Sequence, residues 1–125
     1  MQKINAEVWT NTFFIIPFFI SLVFDSRILH SILILLVFIC STAYHYKKSN
    51  LLTRVDSFFA CLLIISNTYL LLTSFHLIIF IVSLVLSLIS LYFYKKAHRV
   101  NYQLNHSIWH FSASILTSIV ILGTL

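Results

Sequence analysis

The chain has 125 residues, 60% of them hydrophobic and 9% charged, against roughly 25% charged in an ordinary soluble domain. So few polar side chains cannot cover a water-facing surface, which excludes a soluble globule and makes lipid the solvent. The net charge of +5 is divided among short loops, which argues against nucleic acid as a partner.

One Gly and one Pro favour uninterrupted helices, and the alternating pattern of a membrane barrel is missing. The predicted fold is therefore all-α, a polytopic transmembrane helical bundle forming a single domain over 1–125. A crossing takes about 20 mostly apolar residues. By that measure five spans are predicted, at 8–24, 28–46, 55–73, 75–94 and 103–123.

The first span opens within "NAEVWTNTFF" (5–14), which carries Glu7 and Trp9. No strongly basic segment or small-residue cleavage site marks it as a signal peptide, so it reads as a retained span. Trp9 reads as an interfacial anchor. The connection "DSR" (25–27) leads to the second span, which ends in "CSTAYHY" with Cys40, Ser41 and His45. Residues four apart share a helix face, so Ser41 and His45 point the same way.

The basic loop "KKSNLLTR" (47–54) follows, then the third span with Asp56 in its expected first turn, where a carboxylate also suits the helix dipole. Cys40 and Cys61 fall inside spans, outside any Cys-x-x-Cys pattern, and read as small buried apolar residues. "SF" (74–75) and the fourth span lead to "KKAHRVN" (95–101), and the fifth span starts with "NHSIWH". His106 and His110 again share one face.

Five spans put the amino terminus and both basic loops on one side, with Lys3, Lys47, Lys48, Arg54, Lys95, Lys96 and Arg99 against Arg27 alone on the other. This asymmetry predicts a cytoplasmic amino terminus and a carboxyl terminus on the opposite side. The basic side would also attract anionic head groups.

The same count of spans brings Ser41, His45, Asp56, His106 and His110 to one membrane depth. Ionisable groups inside spans are costly and usually functional. Three neutral imidazoles without a competing thiolate suit catalytic zinc with an open position for water. Asp56 could carry a proton or orient a ligating His, and Ser41 could donate to an oxyanion. His30 and His76 lie toward the other face and His98 in a loop, so none joins the set. The pattern suits a hydrolase whose nucleophile is metal-activated water and whose substrate is a membrane lipid.

Ser-x-x-x-His, then Asp on the next helix, then His-x-x-x-His with Trp109-His110 resembles the alkaline ceramidase family. It also resembles the wider superfamily holding adiponectin-receptor and hemolysin III type proteins. "AEVWTNT" is similar to the Ala-Glu-Phe-Trp-Asn-Thr segment that opens the first ceramidase helix. The resemblance implies zinc on His45, His106 and His110, hydrolytic roles for Asp56 and Ser41, and a ceramide-like substrate. It would also make Glu7 a calcium ligand. The chain departs from the family in lacking the acidic segment before Glu7 and in having five spans where the family has seven. A homo-oligomer could supply the missing cavity walls.

Two other readings use fewer of these residues. A haem protein would need two of the imidazoles and leave Ser41 and Asp56 without work. A non-catalytic membrane protein, whether receptor-like, a transport component or an assembly subunit, would keep the metal as a structural element.

Overall fold

The computed structural model describes residues 6–24, 27–74 and 76–125; Lys3, Asp25, Ser26 and Phe75 lie outside them. Five helices are long and apolar enough to cross a membrane: α1 (Ala6–Phe24), α2 (Ile28–Tyr46), α3 (Asn50–Thr73), α4 (Leu77–Ala97) and α5 (Tyr102–Gly123). The all-α bundle is as expected, with two boundaries moved. Helix α3 begins at Asn50 because Ser49 caps it, its side chain accepting from the Leu52 amide. Asp56 therefore sits in the second turn, beyond the reach of the helix-dipole explanation. Helix α4 runs on to Ala97, so Lys95 and Lys96 are helical.

Helix α1 tightens into a 3-10 turn at Thr12–Phe14. Pro17 has no N–H to offer the Phe13 carbonyl one turn earlier, and the Ser114 hydroxyl of α5 donates to that carbonyl at 2.7 Å. A break forced by proline thus becomes an α1–α5 contact.

Helix α5 is the hub, packing on α1, α3 and α4, while α2 lies between α1 and α3. The interior inverts the soluble pattern. Large apolar side chains such as Phe19, Leu29, Ile65 and Ile78 face outward, and most helix pairs meet through small polar groups. Asn11 Nδ2 donates to the Phe38 carbonyl at 3.0 Å and to Thr42 Oγ1 at 2.7 Å. Ser21 and Ser31 hydroxyls meet at 2.6 Å. Asn67 donates to Thr117 at 3.1 Å and Ser90 to Ser112 at 2.8 Å. Without water to squeeze out, helices in lipid associate by such bonds and by close approach of small residues. A small apolar cluster of Phe14, Ile34, Val37, Leu63 and Ile121 fills the centre.

Candidate metal centre

Successive helices alternate in direction, so the start of α1, the end of α2 and the start of α5 meet at one end of the bundle. There the structure brings His45, His106 and His110 together, all buried. His45 Nε2 lies 3.0 Å from His110 Nε2 and 3.2 Å from His106 Nε2. One ligand atom from each ring falls within 4.8 Å of the other two. Nitrogens about 2.0–2.1 Å from a tetrahedral ion would stand about 3.3–3.4 Å apart, close to the two separations from His45 Nε2. As hydrogen bonds the set is poorly matched, because His45 Nε2 carries either one proton or one lone pair and faces two nitrogens. A cation at the meeting point suits all three lone pairs, and these residues could hold a metal ion.

The ring nitrogens turned away from the centre differ. His45 Nδ1 is 3.3 Å from Glu7 Oε2, an ion-pair distance short of an aligned hydrogen bond. His106 and His110 have no partner at Nδ1. Glu7, for which the family resemblance implied calcium, is thus turned toward the histidines.

Ser41 is buried on the same face of α2 as His45. Its hydroxyl neighbours the half-buried Asp56 carboxylate on α3 without forming an aligned hydrogen bond. Asp56 itself stands outside the three-histidine cluster. The expected five residues therefore form two adjacent pieces, a histidine triad and a Ser41–Asp56 pair.

Aromatic rings wall the triad. Tyr102 stacks on His106 with centroids 4.7 Å apart, and Trp109 packs on His106 and His110 at 5.0 and 4.7 Å. Tyr44 leans on His45 at 4.9 Å, and Phe14 meets His110 edge-on at 6.2 Å. Lys48 places its ammonium 5.3 Å from the Tyr102 ring centre. Sequence reading passed over Tyr102, although it lies four residues before His106 and so on the same face. Phe14 gave no local signal at all. Trp9, 61% exposed, faces outward as an anchor would. His30, His76 and His98 stay outside the cluster, and Cys40 and Cys61 are free thiols, half-buried and exposed respectively, so neither is the buried residue expected.

No protein-family model, curated protein or solved structure matches this chain.

Proposed function

We propose that this protein is a zinc-dependent integral-membrane hydrolase acting on a lipid amide, similar to the alkaline ceramidases. The observation that carries the reading is the convergence of three buried Nε2 atoms at spacings fit for one metal ion. An all-imidazole set suits zinc, and such a site leaves a fourth position for water. Bound there, zinc would polarise a carbonyl and bring the pKa of water down to about 7.

The chain's own residues then divide the work. The Ser41 hydroxyl, buried without an aligned partner, is available to donate to the carbonyl oxygen as negative charge grows on it. Asp56, beside Ser41, takes the proton that water loses on adding to the carbonyl carbon. It returns that proton to the amine as the C–N bond breaks, leaving a fatty acid and a free amine. Amide over ester rests on the "AEVWTNT" and Trp109-His110 resemblance. The outward-facing apolar surface lets a ceramide-like substrate arrive from the bilayer. A cytoplasmic position for the centre follows from the basic residues around it.

The test is to purify the protein in detergent, measure its metal content, and follow fatty-acid release from ceramides, phospholipids and acyl esters. One zinc per chain and turnover of an amide lipid are expected. A second reading, a non-catalytic protein with a structural metal, draws on Asp56 standing outside the histidine cluster. Stoichiometric zinc with no release from any lipid would establish it over hydrolysis.

A further inference from the structure

Glu7 is 1% exposed, the most deeply buried acidic side chain among the described residues. A carboxylate inside a span is expensive without a partner. The contact it makes is with an imidazole, His45 Nδ1 at 3.3 Å. A calcium ion would ask for six to eight oxygens, several of them from carboxylates. The chain has three acidic residues in all: Asp56 keeps company with Ser41, and Asp25 follows the far end of α1 in sequence. Glu7 is therefore alone as a hard anionic ligand.

His45 is the ring that Glu7 would need to control. Its Nε2 meets both other histidines, so its tilt decides whether the three nitrogens converge. It is also the member of the triad whose Nδ1 has a carboxylate within ion-pair distance. A carboxylate there accepts a hydrogen bond from Nδ1–H, which keeps the proton on Nδ1 and the lone pair on Nε2 and makes the ring a stronger donor to a metal. The arrangement joins the first turn of α1 to the last turn of α2.

We infer that Glu7 is a positioning residue of the metal centre, holding His45 in the tautomer and orientation whose Nε2 faces the ion, and is not a calcium ligand. The inference rests on the metal reading of the triad. Its experiment uses the full chain in detergent, with zinc affinity measured by chelator competition and Co²⁺ absorption as a report on ligand geometry.

Glu7→Ala is expected to weaken zinc about 10–100-fold and to shift the visible Co²⁺ band. Glu7→Gln, whose amide oxygen can still accept a hydrogen bond from Nδ1–H, should recover part of the affinity while the band stays shifted. A general loss of stability would not produce that graded pair. If Glu7→Ala does not fold, Glu7→Gln decides, because unaltered affinity and spectrum in that variant overturn the inference. Calcium uptake abolished by Glu7→Ala would overturn it too. A wild-type chain that binds no zinc would remove the metal reading as well, whereas tight zinc binding indifferent to both substitutions removes the role of Glu7 alone.

Discussion

The three imidazoles and the Ser41–Asp56 pair make separable demands on experiment. If the three histidines hold a metal with no ligand in reserve, His106→Ala or His110→Ala should strip most of it, as seen by elemental analysis of the purified chain. Full occupancy in the double variant would end the metal assignment. Asp56 stands apart from the cluster, so Asp56→Asn is expected to keep its zinc while lipid turnover falls about 10²–10⁴-fold. Ser41→Ala should keep zinc as well and lose about 10²–10³-fold. The two residues adjoin, so their losses should not add in the double variant. A fully additive double variant would show that they act on different events.

Helix by helix, polarity is spent at contacts instead of on the surface, and each contact can be weighed. Ser114→Ala leaves the Phe13 carbonyl without the α5 donor. Hydrogen bonds between membrane helices are worth about 0.6 kcal/mol on average, up to about 1.7, so a loss near 1 kcal/mol is expected in detergent-driven unfolding. Because Pro17 withholds the N–H that would otherwise reach the Phe13 carbonyl, Pro17→Ala/Ser114→Ala should be less destabilised than the sum of the single changes. An additive result would mean the two residues are unrelated.

The same scale shows what the sequence could reveal. The pairs Ser41–His45 and His106–His110 were legible because four-residue spacing reports one helix face, and so was the number of crossings. The start of α3 was missed because Lys47, Lys48 and Arg54 drew the loop out to 54, when Ser49 was the residue that mattered. Glu7 against His45 and Phe14 against His110 were not legible, since each joins helices far apart in sequence and has no local pattern.

For the molecule as a whole, orientation reduces to a single binary choice. Lys48 and His98, from the two basic loops, both reach Tyr102, at 5.3 and 6.1 Å to its ring. Those loops therefore share one end of the bundle with the histidine triad. Arg27 marks the opposite end, where its guanidinium reaches the Thr124 carbonyl and hydroxyl near the end of α5 at 3.4 and 3.3 Å. The basic excess at the triad end predicts that this end is cytoplasmic. In a background with Cys40 and Cys61 replaced by Ser, Lys48→Cys and His98→Cys should resist an impermeant thiol reagent applied to intact cells and react once the membrane is opened. Arg27→Cys should label from outside without permeabilisation. Labelling of positions 48 and 98 in intact cells would invert the orientation and put the histidine triad on the outer face. Labelling of just one of them would break the five-span topology itself, because the structure holds both against the same tyrosine.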